Sequence, residues 1–131
     1  MKSLFLLFAL LFAVALSSSS AVVSKASNAG NKQRAVTQFN DPVRLQGVLL
    51  KGEYLFVHDD AAMMRGEACT FVYKGDAEMA SQLVVSFHCT PVQRQKVGSF
   101  VVRTEQVSPG VNELREFQFR GETEAHVVPV K

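Results

Sequence analysis

The sequence predicts an all-β domain, mostly antiparallel: a small β-sandwich or barrel of six or seven short strands with one or two helical turns. Three observations carry that expectation. Beyond position 40 the apolar residues fall mostly in runs of about five to eight, rich in Val, Phe, Leu and Tyr and bounded by glycines, which is the strand signal rather than the helix signal. Short turn sequences separate paired runs, which implies antiparallel neighbours. Heptads, internal repeats and amphipathic membrane helices are absent.

Residues 1–26 stand apart. Lys2 precedes the unbroken apolar run Leu4 to Leu16, and SSSSA follows, which is the charged start, apolar middle and small-residue end of a secretory signal peptide. The run is shorter than the roughly 20 apolar residues that span a bilayer, so no membrane span is expected once the signal is cleaved. Cleavage after Ala21 or after Ala26 satisfies the small-residue rule equally well. A secreted or periplasmic location follows. Residues 27–40, SNAGNKQRAVTQFN, are polar and aperiodic and read as a flexible leader, leaving 41–131 as a single β-domain.

Each element of that domain has a local reason. VRLQGVLL and YLFVH flank Lys51 and Gly52 and read as a hairpin that sets Gly47 across from Phe56. Asp59 or Asp60 caps a helical turn in AAMMR, ended by Gly66, and Asp76 caps a second in AEMAS. FVVRTEQV and VNELREFQF flank Ser108, Pro109 and Gly110, a turn sequence in which proline fixes one dihedral and glycine tolerates positive φ. On the returning strand Phe117 and Phe119 share one face, and Glu116, Gln118 and Arg120 share the other.

A third hairpin joins CTFVYKG to QLVVSFHC. With its centre near Met79, partners have residue numbers summing to about 158, so Tyr73 faces Val85, Phe71 faces Phe87 and Cys69 faces Cys89. Opposed residues of an antiparallel pair lie within reach of a disulfide, and an exported chain with two cysteines favours one. Closing this loop of about 21 residues would stabilise the fold by about 3 kcal/mol. In the same register His88 points outward, away from Cys89.

Composition narrows the function classes. Loss of Lys2, and of Lys25 with the later cleavage, takes the 14 basic residues to 13 or 12 against 12 acidic ones, so the exported chain is nearly neutral. That argues against nucleic acid as a partner, although Arg94, Lys96 and Arg103 form a local basic cluster. GxSxG, CxxC, HExxH, haem-attachment and phosphate-loop motifs are missing, so no catalytic residue is assigned. Asp59 with Asp60, and Glu122 with Glu124, read as a helix cap and a solvated edge rather than acid–base pairs. Two readings follow. The first is a non-enzymatic binding or structural module of the envelope or extracellular space, stapled by Cys69 and Cys89, needing no cofactor, and taking a protein partner or a second copy through edge strands that carry Arg94, Lys96, Arg103, Arg115 and Arg120. The second is a copper- or zinc-binding protein. His58, His88 and His126 each end an expected strand, where imidazoles converge on a metal with help from Asp59, Asp60, Met63 or Met64. A metal held by adjacent His88 and Cys89 would need a strand end there and a free thiol.

Overall fold

The computed structural model describes residues 31–131. The segment 1–26, its cleavage points and residues 27–30 of the leader lie outside the described residues. The domain is all-β and mostly antiparallel, built as one sheet curled into a half-barrel. It has eight strands: β1 (Lys32–Leu45), β2 (Val48–Asp59), β3 (Thr70–Lys74), β4 (Leu83–Phe87), β5 (Thr90–Gln93), β6 (Val101–Ser108), β7 (Val111–Gln118) and β8 (Glu124–Val127). A short helix, α1 (Asp60–Met64), follows β2, and a 3₁₀ turn (Ala80–Gln82) precedes β4. Among the described residues no helix is long and apolar enough to cross a membrane.

The sheet order is β4-β3-β2-β1-β7-β8-β5, with β6 paired to β7. β1 meets β7 in a short parallel ladder, Val43 to Asn112 and Arg44 to Glu113, tied by an Arg44–Glu113 ion pair of 3.1 Å. The two ends of the path, β4 and β5, are consecutive in the chain and joined only by His88 and Cys89. Three Cα steps from Phe87 to Thr90 reach at most about 11 Å, so the sheet has to curl until its ends are neighbours.

Several local expectations change. Lys32 to Asn40 are strand rather than flexible leader: every second residue of β1 points inward, but the inward set Gln33, Ala35 and Thr37 is small or polar and leaves no hydropathy alternation to read. The first hairpin turns at Gln46 and Gly47, not at Lys51 and Gly52. Both turn residues have positive φ, 50° and 79°, the two-residue geometry whose twist matches the flanking strands. Gly52 then lies opposite Phe39 and Phe56 opposite Ala35, while Asn40, Asp41 and Pro42 bulge between the paired residues Phe39 and Val43. The expected turn at Pro109 and Gly110 is present between Ser108 and Val111. Asp59 caps α1 as expected, whereas the second turn begins after Met79 without a side-chain cap.

The β3–β4 register is one residue away from the expected one. Thr70 pairs with Phe87, Phe71 with Ser86 and Val72 with Val85. That shift exchanges faces. Thr70 and Val72 take the concave side, while Phe71 and Tyr73 join Leu55 and Val57 in a separate apolar cluster.

The concave core is aromatic. Phe56 packs on Phe100 at 5.3 Å and Phe117 at 5.7 Å between ring centres, and Phe119 meets Phe117 edge-on at 5.9 Å. The opposite face of β7 is buried too, and polar. Arg94 and Arg103 both bind the Glu116 carboxylate, and Gln118 Nε2 donates to the carbonyls of Gln95 and Glu122 at 2.8 and 2.7 Å. Glu116 is held below the usual carboxylate range, first by its hydrogen bond from Arg94. Two of the three residues of the expected basic cluster are thus committed to Glu116, which weakens that cluster as a phosphate patch.

Truncating Phe117→Ala is expected to cost about 3–5 kcal/mol in urea unfolding, because the fully buried ring touches four other rings of the core. Leu49→Ala, at an exposed position, is expected to stay within about 0.5 kcal/mol of the parent.

Candidate metal centre

Five segments deliver side chains to one point at the mouth of the half-barrel. His58 stands near the end of β2, opposite Thr70 and therefore on the concave face. Asp59 then stops the strand: its carboxylate accepts from the amides of Ala61 and Ala62 at 3.0 and 3.2 Å, and the capped turn of α1 carries Met63 back over the strand end. The chain reverses through Arg65 and Gly66 and returns to Cys69, whose carbonyl accepts from the Asp59 amide at 2.8 Å. Cys89 lies in the link between β4 and β5. His126 lies on β8, directly opposite Phe117 on β7, with the two rings stacked at 5.1 Å.

Cys89 Sγ is the hub. It lies 3.0 Å from Cys69 Sγ, 3.4 Å from His58 Nε2, 3.5 Å from His126 Nδ1 and 3.8 Å from Met63 Sδ. His58, Cys69 and Cys89 place one donor atom each within 4.8 Å of one another. The two imidazoles lie 3.9 Å apart between ring centres, although β2 and β8 do not pair. None of the four residues is more than 1 % exposed.

The expected disulfide pair is brought together but is not at disulfide distance: the two sulfurs stand 3.0 Å apart, against an S–S bond of about 2.05 Å. Nor are they a directly opposed strand pair: Cys69 precedes β3 and Cys89 follows β4, so the irregular strand ends turn both side chains to one point. His88 is exposed, as alternation requires, and its Nδ1 sits 2.9 Å from the Glu67 carbonyl. Of the three histidines expected as ligands, the fold brings together His58 and His126 and leaves His88 out.

What the spacing and alternation of the sequence did not reveal is that thiols and imidazoles share one site, since the cysteines were accounted for by each other. The signal nearest to it was local: His58, Asp60 and Met63 fall within one strand end and one helical turn.

The electrostatics suit a cation. Through their shared hydrogen bond Cys89 holds the Cys69 thiol down to about 4, with His58 helping and burial opposing, while the same bond and burial push Cys89 up. The two thiols are thus coupled, one held down and the other pushed up by the bond they share. Burial, and secondarily the neighbouring His58, lowers His126 to about 4, so at neutral pH its ring is uncharged and its nitrogen free to coordinate. His58 Nδ1 is the one buried side-chain atom among the described residues without an aligned hydrogen-bond partner. Asp60 Oδ1 is 3.1 Å from it but off the N–H axis, in the position of the carboxylate that orients a metal-bound imidazole.

Three donors, His58, Cys69 and Cys89, are close enough to one another to share an ion, and His126, near Cys89 Sγ, has to move in to act as a fourth. Metal–sulfur and metal–nitrogen bonds of about 2.3 and 2.0–2.1 Å at tetrahedral angles give N···S edges of about 3.5 Å and an S···S edge of about 3.75 Å. The two N···S separations to Cys89, 3.4 and 3.5 Å, match, and the thiols, 3.0 Å apart, have to part by about 0.75 Å. A Cys–His nucleophile is a poorer fit, because a reactive thiol needs access for its substrate and both thiols are fully buried.

Comparison with protein-family models, curated proteins and solved structures gave no match.

His126 sets a pH dependence for the metal-free protein. The unfolded ring titrates near its ordinary 6.5 and the folded one at about 4, so between these values the unfolded chain binds more protons. The stabilisation is complete above about pH 6.5 and is lost as pH falls toward about 4, with a slope of up to about 1.4 kcal/mol per pH unit. Urea unfolding across that window is expected to show the slope in the parent and a shallower one in His126→Gln.

Proposed function

We propose that this protein is an exported transition-metal-binding domain that holds one soft ion, Zn²⁺ or Cu⁺, through Cys69, Cys89, His58 and His126. One observation carries the reading: two thiols and two imidazoles from four separate segments meet in a water-poor pocket, with donor atoms 3.0 to 3.5 Å from Cys89 Sγ. A cation would take the lone pairs, neutralise thiolate charge and let Asp60 orient His58. The donor set selects the metal class, since thiolate with imidazole suits Zn²⁺ and Cu⁺ and disfavours Mg²⁺ and Ca²⁺.

A second reading is the metal-free binding module, with the cysteine pair closing on oxidation. Its support is the Sγ separation of 3.0 Å, which is closer than unbonded sulfurs ordinarily approach, and the oxidising compartment expected of an exported chain.

Native mass spectrometry with elemental analysis of protein purified from its own compartment separates the two. The metal reading expects about one copper or zinc per chain, lost in Cys69→Ser, Cys89→Ser and His58→Ala and retained in His88→Ala. A saturating ion at about 1,000 times Kd is expected to stabilise the fold by about 4 kcal/mol, reversed by a chelator. A metal-free chain two hydrogens lighter than its reduced form would overturn this reading in favour of the stapled module.

A further inference from the structure

The donor cluster has one approach that is chemically marked. A cleft of about 260 Å³ is lined by Asp60, Met63, Met64 and Glu124. Three of these residues connect directly to the site. Asp60 touches His58 Nδ1, Met63 Sδ lies 3.8 Å from Cys89 Sγ, and Glu124 stands two residues before His126 on β8. Met64 is 84 % exposed and Met63 half-buried; both line the cleft, and Met63 reaches the edge of the buried thiol pair.

We infer, resting on the metal-binding reading above, that the ion taken up is monovalent copper and that it enters through this cleft, passing from Met64 to Met63 and then to Cys69 and Cys89. The argument is one of softness and order. A thioether is a neutral, polarisable donor that Cu⁺ accepts and that contributes little to Zn²⁺, which is satisfied by charged thiolate and imidazole. A leucine would fill the place of Met63 equally well if packing were its only task, and the solvent-facing Met64 fills no core gap. The carboxylates of Asp60 and Glu124 make the mouth attractive to a cation without competing for a soft one.

Each step is a ligand exchange at constant oxidation state. Cu⁺ leaves its carrier, gains sulfur from Met64, exchanges it for Met63, and then bonds to the thiol pair with the Met63 sulfur still attached. Each thiol that still carries its proton releases it to solvent as its sulfur coordinates. His58 Nε2, 3.4 Å from Cys89 Sγ, is placed to complete the shell, with its buried Nδ1 facing Asp60.

The test uses the reduced, metal-free exported chain, titrated separately with Zn²⁺ and with Cu⁺ supplied from the chelator bathocuproine disulfonate under reductant. Met63→Leu is expected to weaken Cu⁺ binding by about tenfold or more while Zn²⁺ binding stays within about twofold, which also certifies that the variant is folded. Met64→Leu is expected to leave both affinities in place and slow Cu⁺ uptake from the chelator several-fold. Stoichiometric Zn²⁺ binding with no Met63 dependence of Cu⁺ binding would overturn the inference and leave the metal-binding reading standing. Failure of the parent chain to bind either ion would overturn both.

Discussion

Two residues, His88 and Cys89, connect the strands at opposite ends of the sheet path, and the geometry of the molecule follows from how short that link is. A flat sheet could not be closed by so short a connection, so the curl is a covalent requirement as well as a packing preference. The alternation of side chains along the link turns one outward and the other inward. His88 faces solvent, and Cys89 points into the mouth of the half-barrel. Every other donor is measured from that sulfur.

The two faces of β7 show how the fold treats buried polar groups. On one face Glu116 and Gln118 are satisfied by two arginines and two backbone carbonyls, a closed network with nothing left to bind. On the concave face Phe117 and Phe119 form an apolar floor beneath His126 and His58, and the polar atoms there gather around the Cys89 sulfur, which lies within hydrogen-bond distance of Cys69, His58 and His126. Low polarity strengthens whatever electrostatic partner that point receives. On the proposed metal-binding reading, a soft cation would take the place of these bonds to the thiols and imidazoles.

α1 is the local device that finishes the site. Asp59 ends β2 by capping the turn, Asp60 lies against the far nitrogen of His58, and Met63 returns to the Cys89 sulfur, all within six residues of the histidine. The helix is short: the Asp59 amide before it donates to the carbonyl of Cys69, next to β3, and the Glu67 amide after it donates back to the Ala62 carbonyl within the helix.

The sequence by itself determined what depends on neighbours along the chain. The strand class follows from short apolar runs bounded by glycines, the Pro109–Gly110 turn and the Asp59 cap from residue chemistry at fixed offsets, and the outward His88 beside the inward Cys89 from simple alternation. Registers were less legible. A hairpin can turn at either of two glycines, and positive φ at both Gln46 and Gly47 decided between them. A long connection can shift by one residue, and the odd register of β3 against β4 moved Phe71 and Tyr73 to the other face. The strand within the polar segment 32–40 was hidden because its inward residues are not apolar. Only tertiary structure could join His58 on β2 to His126 on β8 and place both beside the cysteines. Those strands do not pair, and the contact arises from curvature of the whole sheet, a long-range property that no local spacing encodes.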